Sequence, residues 1–140
     1  MKKSDFIDLF PTNSAKGTVK IPGSKSITNR VFLMAALCSE ETKIYGSLDS
    51  EDTQIMLNAL LKLGVKIKKK SDFISIIGSN TFPKNKKCTL NLGNAGTVYR
   101  PLTAILAFSG GSFKLYGSKR MYERPVKDLV DSLNDCGCKI

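Results

Sequence analysis

Residues 43–47 read KIYGS, and residues 114–118 read KLYGS. The two pentapeptides are offset by 71 positions (114 less 43), and TVKI at 18–21 precedes TLNL at 89–92 by the same interval. A third match, LGVKI at 63–67 against CGCKI at 136–140, is offset by 73. Collinear matches at a near-constant spacing mark an internal repeat. The fold is therefore one unit written twice, and each copy helps to interpret the other.

In each copy an alternating run predicts a strand (18–22 and 88–92). A glycine-containing loop leads from it to an apolar run that predicts a helix, about 26–38 and about 97–108. A second strand follows (43–47 and 112–116), then a second helix. In the first copy that helix starts at about Ser50, an N-cap candidate, with Glu51 and Asp52 in its first turn, and ends at Leu63 before Gly64. In the second copy Pro125 fits the first helical position, Val126, Leu129, Val130 and Leu133 form the apolar stripe, and Gly137 ends it. The first copy closes with a predicted hairpin: VKIKK, a turn near Ser71-Asp72, and FISII. The unit is thus βαβαββ, the class α/β (α+β), and the second unit is incomplete at Ile140. Unit one spans about 18–78 and unit two about 88–140. A sheet edge and a helix face would be left uncovered, which predicts further chain beyond these residues.

The 140 residues carry 22 lysines and arginines against 12 acids, a formal charge of +10, which suits an acidic partner. There is no histidine, so a His-based metal site or a Ser-His-Asp triad within these residues is excluded. Cys38, Cys88, Cys136 and Cys138 contain no C-x-x-C pair. Two of them fall on apolar faces of predicted helices, so all four are expected to be reduced packing residues. The N-terminal stretch MKKSDFIDLFPTNSAK is interrupted by Asp5, Asp8 and Pro11 and has no secretory apolar core; no segment approaches a membrane span. The expected location is the cytoplasm.

The first loop, GSKSITNR (23–30), sets Lys25, Ser26 and Arg30 at a helix start. There the dipole end and free N–H groups attract anions. Ser26 and Arg30 are four residues apart and share a helix face. A hydroxyl, a guanidinium and an ammonium suit a phosphate or carboxylate. Ser26 as an N-cap and Lys25 as an exposed lysine are the structural alternatives; Arg30, in an otherwise apolar helix, needs a buried partner or a cleft. The second loop, GNAGT (93–97), offers Asn94, Gly96 and Thr97, with Arg100 and Pro101 following. Gly96 lets a ligand approach the backbone, and Pro101 predicts an opened or late first turn. Arg124, before Pro125, stands at the next helix start, where it could instead serve as a capping or ion-pair residue.

PGSKSITNR, LDSEDT, LNALLKLGVKI, LGNAGTVYRPL and RMYERPVKDLVDSL, in that order, resemble the enolpyruvyl transferases, most of all the branch acting on shikimate-3-phosphate. The resemblance runs from about Gly17 to Ile140. It implies two globules, each of three βαβαββ units, with the active site between them. Residues 1–17 would then be a leader packing with the missing globule, and 18–140 a partial globule. The implied reaction adds the 5-hydroxyl of shikimate-3-phosphate to phosphoenolpyruvate and then expels phosphate, with no metal or organic cofactor. By resemblance, Lys25 touches both substrates and carries catalysis; Ser26 and Arg30 hold shikimate-3-phosphate; Asn94, Gly96 and Arg124 line the phosphoenolpyruvate site. The same likeness implies a glyphosate target that is monomeric at full length. The acids that transfer protons would come from the missing part, so the isolated chain is expected to be inactive. Asp49 and Glu123 are nearby acids without an assigned role.

Two other readings compete. The sister branch acting on UDP-N-acetylglucosamine has a lysine-asparagine pair where this chain has Lys25-Ser26, and a cysteine where it has Lys119. A basic RNA-binding or RNA-end-processing module would need stacking aromatics among the cations, and the loops offer only Tyr99 and Tyr122, so nucleic acid is not the expected partner.

Overall fold

Helix α1 (Lys25–Leu37) is the first regular element of the computed structural model, which describes residues 7–140. It is followed by β1 (Glu41–Tyr45), α2 (Glu51–Lys62), β2 (Lys66–Lys69) and β3 (Phe73–Ile77). The second half holds β4 (Lys87–Asn91), α3 (Gly96–Ala107), β5 (Ser112–Tyr116), the single turn α4 (Lys119–Tyr122) and α5 (Lys127–Asp135).

Local chemistry fixes the helix starts. Ser24, not Ser26, is the N-cap of α1, its side chain accepting from the Ile27 N–H at 3.5 Å. Ser26 is therefore not the cap. Ser50 caps α2 through a reciprocal box with Thr53: the Ser50 Oγ accepts from the Thr53 N–H, and the Ser50 N–H donates to the Thr53 Oγ1 at 2.9 Å. Glu51 and Asp52 lie in the first turn of α2, as expected from the dipole.

The core lies where α1, α2 and α3 pack on one another and on the sheets. Phe32 of α1, Met56, Leu57 and Leu60 of α2, and Val98 and Leu102 of α3 are at most 1% exposed. Each such side chain contributes about 1.5–3 kcal/mol by leaving water. In the first half β3 lies between β1 and β2 and pairs antiparallel with both, Ile44 opposite Ile74 and Ile67 opposite Ile76. In the second half β4 and β5 run parallel, Leu90 opposite Leu115. The parallel pair is joined through α3, as such a connection requires.

Several expectations need correction. No strand forms at 18–22: Val19 and Ile21 are 79% and 78% exposed. The alternation is that of a strand, yet β1 gives its ladder to β3, and no described strand lies alongside 18–22 to accept the backbone groups. In the second copy β4 does have that partner, in β5. Helix α5 starts at Lys127, two residues after the expected Pro125. The Pro125 carbonyl instead accepts from the Arg100 Nη2 at 3.2 Å. Helix α3 begins at Gly96, so Pro101 lies inside it and does not delay it; the opening falls at the Thr97 carbonyl, which receives no N–H from residue 101. All four cysteines are free, but only Cys88 packs against the core cluster. Cys38 and Cys136 are exposed and stand one residue past the ends of α1 and α5, while Cys88 and Cys138 are half-buried. Of the leader, residues 1–6 lie outside the described residues; residues 7–17 form no helix or strand and are exposed.

Candidate functional site

The first turns of α1, α2 and α3 open into one cavity of about 440 Å³. Lys25 and Ser26 reach it from α1, Glu51 and Asp52 from α2, and Gly96 and Thr97 from α3. Three helix N-termini therefore point their positive ends at a common space. Arg30, one turn further along α1, also lines it, as do Asn94, Arg100 and Arg124. All six candidates named from the sequence (Lys25, Ser26, Arg30, Asn94, Gly96 and Arg124) share this wall, although they come from both copies of the repeat.

Backbone contacts explain how two distant loops meet. A β-carbon on Gly23 would lie 2.3 Å from the Gly46 carbonyl oxygen, so only glycine lets the 23–30 loop cross the end of β1 this closely. In the second copy the Ser118 N–H donates to the Gly93 carbonyl at 2.8 Å, tying the loop that precedes α3 to the segment that leads to Arg124. Gly96 carries the tightest contact of the site. A β-carbon there would lie 2.2 Å from the Arg124 Nη1 and 3.4 Å from its Cζ. The atom that comes close to the Gly96 backbone is thus the Arg124 guanidinium, and the missing side chain is what lets the cation settle over the start of α3.

The wall carries four cations (Lys25, Arg30, Arg100, Arg124) and two carboxylates (Glu51, Asp52), a net +2. The Lys25 Nζ lies 3.2 Å from the Asp52 Oδ2. The Thr97 hydroxyl donates to that same oxygen at 2.9 Å, and the Asn29 Nδ2 donates to the Thr97 Oγ1 at 2.9 Å. A polar thread therefore crosses all three helices beneath the cavity. Lys25 is half-exposed, so the ion pair alone adds little to stability. Its weight is geometric: it fixes where the ammonium sits.

Asp52, Thr97 and Arg100 stand beside the six named candidates. Thr97 and Arg100 are residues that the sequence already places at the second loop and its helix, without a ligand assigned to either. Asp52 carries the pattern of a dipole-stabilising acid; only the meeting of α1 with α2 reveals its other neighbour. Asp49 and Glu123 do not line the cavity. Asp49 accepts from the Gln54 Nε2, and Glu123 from the Arg120 Nη1 at 2.6 Å. Tyr99 packs against the core and Tyr122 is exposed, so neither offers a stacking platform inside the cationic wall. Among the described residues no group of His, Cys, Asp and Glu is arranged to hold a metal ion, and no helix is long and apolar enough to cross a membrane.

A wall with this excess of guanidinium and ammonium groups suits small anions. The chain is 52% identical over 136 residues to the 3-phosphoshikimate 1-carboxyvinyltransferase of Burkholderia cenocepacia (strain HI2424), covering 97% of this chain and 31% of that protein. It is 50% identical over the same length to the enzyme of that name from Paraburkholderia phytofirmans. It spans about a third of the length of these curated relatives. Among solved structures, EPSP synthase from Acinetobacter baumannii superposes with a TM-score of 0.80 at 27% identity, over 89% of this chain and 28% of that one. The profile of the family described as EPSP synthase (3-phosphoshikimate 1-carboxyvinyltransferase) matches residues 10–140. On this agreement of fold and sequence, the chain belongs to the EPSP synthase family.

Proposed function

We propose that the protein, at the length of its curated relatives, transfers the enolpyruvyl group of phosphoenolpyruvate to the 5-hydroxyl of shikimate-3-phosphate and releases phosphate. The supporting observation is the convergence of Lys25, Arg30 and Arg124, from both repeat copies, on one cavity with the volume of a small-molecule site. In this reading Ser26 and Arg30 hold shikimate-3-phosphate, and Asn94, Gly96 and Arg124 hold phosphoenolpyruvate. Lys25 contacts both substrates in this reading and opposes the negative charge that develops as the enol carbon is attacked.

Charge arithmetic supports a shared site. Each phosphate carries about −1.5 to −2. With one carboxylate on each substrate the pair brings roughly −5 to −6, against the +2 of the wall. Further cations, and the acids that move protons, must come from elsewhere in the protein. Residues 18–140 are accordingly part of one globule, residues 1–17 pack with the other, and the isolated 140-residue chain does not turn over. The protein works in the cytoplasm as a monomer. The UDP-N-acetylglucosamine reading is disfavoured by Ser26 on the cavity wall, and the RNA reading by a cavity lining without aromatic side chains.

The test is phosphate release by the complete gene product in the presence of both substrates. Release dependent on shikimate-3-phosphate is expected. Release with UDP-N-acetylglucosamine instead, or none with either acceptor, would overturn the reading. Turnover by the purified 140-residue chain would overturn the division of the site.

A further inference from the structure

We propose that Asp52 is a positioning residue for the Lys25 ammonium, and that Thr97 and Asn29 hold Asp52 in that orientation. The inference rests on the reading of Lys25 as an anion ligand. The geometry that points to it is a directed chain of hydrogen bonds. Asn29 is fully buried in α1, and its Nδ2 donates to the Thr97 Oγ1 at 2.9 Å. A hydroxyl has a single proton. With its lone pair engaged by Asn29, Thr97 directs that proton to the Asp52 Oδ2, 2.9 Å away. The same oxygen faces the Lys25 Nζ at 3.2 Å.

Two features separate this arrangement from simple helix capping. Glu51 already supplies first-turn charge to α2, so a second acid is not needed for the dipole. A carboxylate in a wall that receives anions opposes its ligands unless it has another task. The second feature is the Asn29 Oδ1, which is buried and pairs with no protein group. Leaving a buried acceptor unpaired is costly. Turning the amide over would satisfy that oxygen with the Thr97 proton, but Asp52 would then lose it. The observed orientation favours Asp52 at the expense of Asn29. A lysine stem has four carbons and many rotamers; tied at one N–H to Asp52, the ammonium keeps two donors for the cavity.

The test is a double-mutant cycle in the complete gene product, with inorganic phosphate affinity read by calorimetry alongside kcat and KM. Thr97→Val, which keeps the shape and removes the hydroxyl, should weaken phosphate binding about fivefold, within the range for residues in contact. Thr97→Ser should recover most of that loss. In a Lys25→Met background Thr97→Val should change affinity less than about twofold, because its effect acts through the ammonium. Asp52→Asn also removes a charge that opposes phosphate, so it is read as the difference between backgrounds. Its effect on affinity should be about fivefold less favourable with Lys25 present than in the Lys25→Met background, and this comparison carries the test alone if Thr97→Val does not fold. Equal losses with and without Lys25, a serine variant as weak as the valine one, or no phosphate binding by the parent would overturn the inference. Turnover by the parent with additive losses would remove the inference alone. The coupled pattern without turnover would remove the proposed reaction alone.

Discussion

Replacing Gly96 with alanine tests the site at its tightest contact. The new β-carbon would stand 2.2 Å from the Arg124 Nη1, and ordinary contact begins at 3.4 Å, so the guanidinium must retreat by 1.2 Å. The atom in the way is the far end of a flexible side chain, so the fold should absorb the change at little cost. The ligand should not. If Arg124 pairs with an anion at about 4 Å and an effective dielectric of about 20, moving to about 5.2 Å lowers the attraction from about 4.2 to about 3.2 kcal/mol. A loss of about 1 kcal/mol is about fivefold in affinity. The assay is the KM for phosphoenolpyruvate in the complete gene product, with thermal unfolding measured in parallel. The expected outcome is a KM raised about fivefold with Tm nearly unchanged. A KM equal to that of the parent would show that the guanidinium does not depend on the open space at Gly96. The same fivefold change in a variant that also lacks the Arg124 side chain would show that the crowding acts on something else.

Lys25→Met should lower kcat/KM by about 10²–10³-fold, as loss of one donor to a developing charge does, while thermal unfolding hardly moves because the side chain is half-exposed. Ser50→Ala removes one partner of the capping box of α2 and should cost about 1 kcal/mol, read as a Tm lower by about 3 °C. Leu60→Ala, at a fully buried position of α2, should cost about 2–5 kcal/mol in denaturant unfolding; a loss below about 1 kcal/mol would mean that the three-helix core is looser than described.

The elements the sequence predicts best are those with local causes. The β2–β3 hairpin follows from alternation around Ser71-Asp72, and α2 from a serine cap and a glycine stop, so both stand within a residue or two of their expected ends. The 18–22 segment misleads because alternation reports what a strand could bury, not whether a neighbouring edge is free to pair with it. Pro125 misleads similarly: it suits a first helical turn, but its carbonyl is engaged by Arg100 and α5 starts later. At the site, the repeat and the family likeness singled out six residues on one wall. Neither reveals Asp52 or Asn29 as partners of the site. Their significance depends on which atoms of α1 and α3 stand beside them, and an acid at a helix start or an amide in an apolar run has an ordinary explanation of its own.

Because the cavity is bounded by the opening turns of α1, α2 and α3, and the core by the turns that follow, chemistry and packing share the same three rods. A helix with its side chains is about 10–12 Å across, so a rotation of 10° about its axis shifts a tip by about 1 Å. A misplacement of that size costs an active site about 10²-fold. Conservative repacking deep beneath the site, such as an isoleucine for a leucine between α2 and α3, should therefore disturb catalysis before it disturbs folding. Turnover would be the finer gauge of how these helices are seated.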